Sequence, residues 1–160
     1  MTPAFLLHQT LCGAIAAGGF GVLFNVGFRR LPWYAASGAV ALAVRTCCLG
    51  LGWNLEGASF AAALVAGLAV QLLRTRTDIS RSALDVVGCI PMVPGSFAAK
   101  AILGLYALTS AGVSSDPQVF ITAMQYSLRV AFTIGAIGTG LAIPTLLLRM
   151  RKSRSSRSRP

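Results

Sequence analysis

Acidic residues are almost missing from this chain. Its 160 residues hold 4 Asp and Glu against 14 Lys and Arg, with 1 histidine. Paired carboxylates, a nucleophile with its base, and a metal cluster all need residues that are too few here. No catalytic residue, no metal site, no cofactor and no enzymatic activity are expected. The four cysteines, Cys12, Cys47, Cys48 and Cys89, contain no CxxC pair. Zinc and redox motifs are therefore absent, and these cysteines read as small packing residues. His8 stands near the N-terminus without a constellation around it. Charge of either sign is also scarce, at 11% of residues, while 55% are hydrophobic and the mean hydropathy is +0.71. A soluble domain of this length needs far more surface charge. The composition is that of an integral membrane protein, with no segment resembling a second, soluble domain.

The charge that is present is unevenly placed. Arg149, Arg151, Lys152, Arg154, Arg157 and Arg159 crowd into the last residues. Without an aromatic platform or a folded basic domain, this tail is expected to lie against anionic lipid and not nucleic acid. The chain thus divides into a transmembrane domain, 1–148, and a basic cytoplasmic tail, 149–160.

Apolar periodicity and breaker residues predict an all-α protein of five transmembrane helices. The spans are 4–24, 33–51, 56–73, a broken fourth made of 82–90 and 96–112, and 118–148. The first lacks a basic region ahead of it and a small-residue cleavage site behind it, so it reads as a retained span and not a signal peptide. Its small residues, at Ala14/Gly18 and Ala17/Gly21, allow close helix approach. Pro32 suits the first turn of the second helix, with Trp33 and Tyr34 at an interface. Asn54 suits the cap of the third, which would put Glu56 in its first turn; a solute or proton role is the alternative for both. Basic residues fall in alternate connections: Arg29 and Arg30, then Arg74, Arg76 and Arg81, then the tail. By the positive-inside rule the N-terminus is outside and the C-terminus cytoplasmic.

The fourth span is broken by Ile90-Pro91-Met92-Val93-Pro94-Gly95. Both prolines lack an amide donor and clash with the preceding turn. Backbone groups freed in hydrocarbon must find partners in protein or at a wet cavity, and discontinuous helices of this kind hold the solutes of many transporters. Three cations, Arg45, Lys100 and Arg129, remain inside spans; near the bilayer centre such a charge costs at least ~2.5–3.5 kcal/mol, which snorkelling relieves in part for Arg129 but not for the more central Arg45 and Lys100. Lys100 lies one turn after Ser96, which opens the half-helix behind the Pro-x-x-Pro-Gly break. Free amides, a hydroxyl and an ammonium there describe an anion pocket suited to a carboxylate. The expected binding set is Pro91, Pro94, Gly95, Ser96 and Lys100, with Arg45 as a second positive group or a tie to a partner. The bland alternative is that these cations pair with acids on another subunit.

Three pieces resemble a known family in order and spacing: Phe24-Asn25-Val26 with Arg29 and Trp33; Arg45 with Gly52, Asn54, Glu56 and Phe60; and the segment from Ile90 to Gly95. Together they resemble the threonine/serine exporter family, in particular the small membrane subunit equivalent to its C-terminal transmembrane half, over about 20–144. The resemblance implies export of small carboxylate solutes, either threonine- and serine-like amino acids or dicarboxylates such as succinate. It also implies a bacterial inner-membrane location and a partner membrane subunit carrying the N-terminal half, hence an oligomer. Arg129 and the Arg/Ser tail are not general features of that family. A non-transporting scaffold subunit and a homo-oligomeric channel are the competing readings.

Overall fold

The computed structural model describes residues 2–73, 87–110 and 117–157. Every regular element among them is helical. In chain order these are α1 (Pro3–Leu23), α2 (Leu31–Gly50), α3 (Leu55–Leu73), a 3-10 turn (Ile90–Met92), α4 (Gly95–Ser110) and α5 (Pro117–Arg157). Residues 82–86 of the expected fourth span, with Asp85, lie outside the described set, as do Arg74, Arg76, Arg81 and Asp116.

The connections are defined by their hydrogen bonds. After α1, the Val26 amide donates to Gly21 O and the Asn25 amide to Val22 O, both at 2.9 Å. This is the Schellman pattern, which needs a left-handed residue at its corner. Asn25 supplies it at φ 54°; asparagine tolerates this region better than other non-glycine residues. After α2 the pattern repeats, with Trp53 donating to Cys48 O at 3.1 Å and Gly52 to Leu49 O at 3.0 Å. Gly52 takes the left-handed corner at φ 86°. The chain then turns at once into α3, where the Asn54 side-chain oxygen accepts the Gly57 amide at 3.0 Å. Helix α2 begins two residues earlier than its sequence pattern predicts, because Arg30 already has helical dihedrals.

Small residues face inward and large apolar ones outward. Ala17, Ala41, Ala58, Ala62 and Ala63 are wholly buried, while Ile15 is 75% and Leu23 72% exposed. Water would favour the reverse. In lipid, helices gain from close backbone approach, and large side chains lose nothing by facing the tails. The α1–α2 contact is made this way: Gly13, Ala17 and Gly21 form the buried stripe of α1. Of the two expected pairs, Ala17/Gly21 belongs to that stripe, and Ala14/Gly18 is only half-buried. A Cβ on Gly38 of α2 would fall on Ala17 Cβ and on Gly13 O. Along α3, Gly140 of α5 packs so that a Cβ there would lie 2.8 Å from Phe60 O and 2.9 Å from Ala63 Cβ. Buried Pro144 of α5 seats beside Gly67 one turn further on.

Two compact units are present: Met1–Met92 with Ala136–Pro160, and Val93–Gly135. The first contains α1–α3, the 3-10 turn and the later part of α5. The second contains α4 and the start of α5. Two helical stretches, Pro3–Leu23 and Pro117–Leu147, are each long and apolar enough to cross a membrane, and Leu55–Val70 is a shorter apolar stretch. Helix α4 has 16 residues, or about 24 Å, short of a ~30 Å core. Helix α5 does not stop at the end of its apolar stretch but continues to Arg157, so most of the basic tail is helical backbone.

Candidate functional site

The prolines of the broken segment produce a defined sequence of conformations. Val87–Cys89 is α-helical, Ile90–Met92 is a 3-10 turn, Val93 is a bend, and α4 starts at Gly95. Met92 is fully buried, yet its carbonyl has left the helical ladder. The group that meets it comes from α2: Arg45 donates through its guanidinium to Met92 O at 2.9 Å. A hydrogen bond to a charged donor contributes ~1.5–3 kcal/mol, and it satisfies the backbone where the ladder is interrupted. Arg45 is therefore a tie within its own chain, joining α2 to the break. Its Nε is buried without a hydrogen-bond partner among the described residues, and so is the hydroxyl of Ser59 on α3.

In the second unit, Pro94 is buried and its carbonyl accepts the amides of Phe97 (3.1 Å) and Ala98 (3.0 Å). The Gly95 amide turns back to Val93 O at 2.8 Å. Gly95 and Ser96 are exposed, and a Cβ on Gly95 would meet nothing within 4 Å. The start of α4 is thus open to an approaching group. Lys100 is exposed one turn along. Its Nζ stands 5.5 Å from the centroid of Tyr126 on α5, and it pairs with no carboxylate among the described residues.

Tyr126 stacks on Phe97 with centroids 5.7 Å apart and planes at 28°. Arg129 lies over the other aromatic, 5.4 Å from the Phe97 centroid. The result is a column of cation, two rings and cation between α4 and α5. Cation–π contacts hold a charge in place without neutralising it. Phe97 and Tyr126 are not among the residues expected at the site, and Arg129 is expected only as an intramembrane cation. The signal was present: Phe97 and Lys100, and Tyr126 and Arg129, share an aromatic-x-x-cation spacing.

The remaining candidates fall elsewhere. Pro91 and Arg45 belong to the first unit; Pro94, Gly95, Ser96 and Lys100 belong to the second. Asn54 has the capping role described above, and Glu56, half-buried, stands in the first turn of α3. His8 is exposed on α1 one turn from Cys12, whose sulfur lies 3.9 Å from both ring nitrogens.

No solved structure matches the chain. A family described as Threonine/Serine exporter, ThrE matches residues 9–147. A chain whose described elements are all helical, with small residues inside, large apolar residues outside and that match over most of its length, belongs to the threonine/serine exporter family, and is an exporter-type membrane transport protein.

Proposed function

We propose that the chain is one subunit of a two-component exporter of small carboxylate solutes in a bacterial inner membrane. The solutes are threonine- or serine-like amino acids or dicarboxylates such as succinate. A partner membrane subunit supplies the other half of the transporter. In this reading the chain crosses the bilayer five times, with its N-terminus outside, its C-terminus cytoplasmic and the fourth crossing interrupted at the proline segment. Its basic tail lies on anionic lipid.

One observation carries the assignment of the solute site: Lys100 presents an ammonium, unpaired with any carboxylate among the described residues, one turn beyond the exposed Gly95–Ser96 start of α4. A helix start attracts negative charge through its amides and dipole. The Ser96 amide finds no carbonyl partner among the described residues. A carboxylate takes up the Ser96 amide and hydroxyl together with the Lys100 ammonium. Pro91 and Pro94 hold the chain out of the helical path, and Arg45 fixes the break by its bond to Met92.

Export kinetics from vesicles holding both subunits test this. A charge-assisted hydrogen bond is worth ~1.5–3 kcal/mol, or about 10- to 150-fold in affinity. Lys100→Met should raise the apparent KM by that order with insertion unchanged. Lys100→Arg should be milder, and Gly95→Leu more severe, because it obstructs the open helix start. Normal export by Lys100→Met at limiting solute refutes the anion site.

A further inference from the structure

We propose a second binding site, for one anionic phospholipid, in the cleft between α2 and α3. Trp33, Ala36 and Val40 of α2 and Ala66, Ala69 and Val70 of α3 line a narrow cleft of about 60 Å³. Its wall is apolar. The one hydroxyl there, on Ser37, already donates to Tyr34 O at 2.9 Å. The cleft opens to the surroundings, with Trp33 38% and Val40 37% exposed.

Two arginines precede the cleft in the chain, four and three residues before Trp33. Arg29 and Arg30 are exposed in the turn that leads into α2. Arg30 is helical in backbone, and its carbonyl accepts the Trp33 amide at 3.0 Å. Residues three and four apart share a helix face, so Arg30, Trp33, Ala36 and Val40 follow one another along one stripe, with Arg29 in the turn immediately ahead of it. That order matches the layers of a leaflet: cations at the phosphates, an indole at the interface, then an apolar groove in the hydrocarbon. From Trp33 to Val40 is seven residues, about 10 Å of helix, against ~15 Å for half of a ~30 Å core. The groove therefore takes the upper part of one acyl chain.

The dimensions favour lipid over a protein helix. A helix with side chains is ~10–12 Å across, whereas an alkyl chain is one methylene wide and can lie in a groove between two packed helices. Charge complementarity then selects an anionic headgroup over a zwitterionic one. The inference needs the chain to reside in a membrane; it does not depend on which solute is exported.

Trp33 is a reporter within the site. In a Trp53→Phe chain it is the sole tryptophan. The full chain is reconstituted in phosphatidylcholine vesicles containing either brominated phosphatidylglycerol or brominated phosphatidylcholine, whose bromines quench indole fluorescence on contact. The anionic lipid should quench Trp33 with an apparent affinity on the order of 10-fold higher, the size expected for two arginines near a headgroup. That preference should fall as salt is raised from 0.1 M to 1 M, as the Debye length shrinks from ~10 to ~3 Å. Arg29→Gln with Arg30→Gln should abolish it, and Ala69→Phe, which fills the cleft, should weaken quenching by both lipids. Equal quenching by the two lipids overturns the proposal, as does a preference that survives loss of both arginines. Quenching unchanged by Ala69→Phe removes the acyl groove. Absence of quenching by either lipid means that protein covers Trp33, which also overturns it.

Discussion

At the scale of single residues, Arg45 shows how a half-buried cation is accommodated without an acid among the described residues. Its partner is a main-chain oxygen that the proline segment has released from helical pairing. Removing the guanidinium leaves Met92 O buried and unpaired. Arg45→Met should therefore lower the stability of the detergent-solubilised chain by about 1–3 kcal/mol, read from the midpoint of denaturant unfolding. Arg45→Lys should fall between, because lysine keeps the charge but loses the planar fork of donors. An Arg45→Met midpoint equal to the unmodified chain's would show that another group satisfies the carbonyl. Both partners stand out in the sequence, Arg45 as an intramembrane charge and Met92 as part of a proline break. Their pairing does not, because they are 47 residues apart and only the packing of α2 against the break joins them.

At the scale of elements, most helix limits were legible because they are written in local chemistry. Pro3 and Pro117 start helices, Asn54 caps one, and Asn25 and Gly52 end two. The resemblance to an exporter rested partly on Asn25, Gly52 and Asn54, and the structure gives all three a role in turning the chain. The far end of α5 was less legible. The switch from apolar to Arg/Ser composition marks departure from hydrocarbon, not the end of a helix, and arginine, lysine and methionine all favour helix. The aromatic column was hidden for another reason: stacking between α4 and α5 depends on their packing, although the repeated spacing hinted at it. The α1–α2 contact yields a controlled comparison. Gly38→Ala puts a Cβ onto Ala17 and the Gly13 carbonyl and should cost ~1–3 kcal/mol, as overpacking does. Gly19→Ala meets nothing within 4 Å and should be neutral or slightly stabilising, since alanine is the better helix former. Equal thermal midpoints for the two variants would show that this contact has room to give.

At the scale of the whole molecule, the arrangement of charge predicts a topology. Reporter fusions after Arg76, Asp116 and Arg151 should read inside, outside and inside. Any other order removes the five-span reading. The shortage of acids bears on assembly: with 14 basic residues against 4 acidic ones, the proposed partner is expected to contribute compensating groups. Expressed alone, the chain should be unstable or inactive in export, and coexpression with the partner should restore both yield and transport. Full export by vesicles holding this chain alone would rule out the two-subunit arrangement.

The bond between Arg45 and Met92 also has a history in time. A ribosome adding ~5–20 residues per second takes about 2–9 s to travel the 47 residues between them. For that interval α2 exists without the acceptor that its arginine will use. The guanidinium is expected to keep its water meanwhile, so α2 should reach its final depth only after the proline segment has left the ribosome. Nascent chains arrested before Met92 should leave a cysteine placed at position 44 open to water-soluble alkylating reagents. Chains released after the break is complete should protect it.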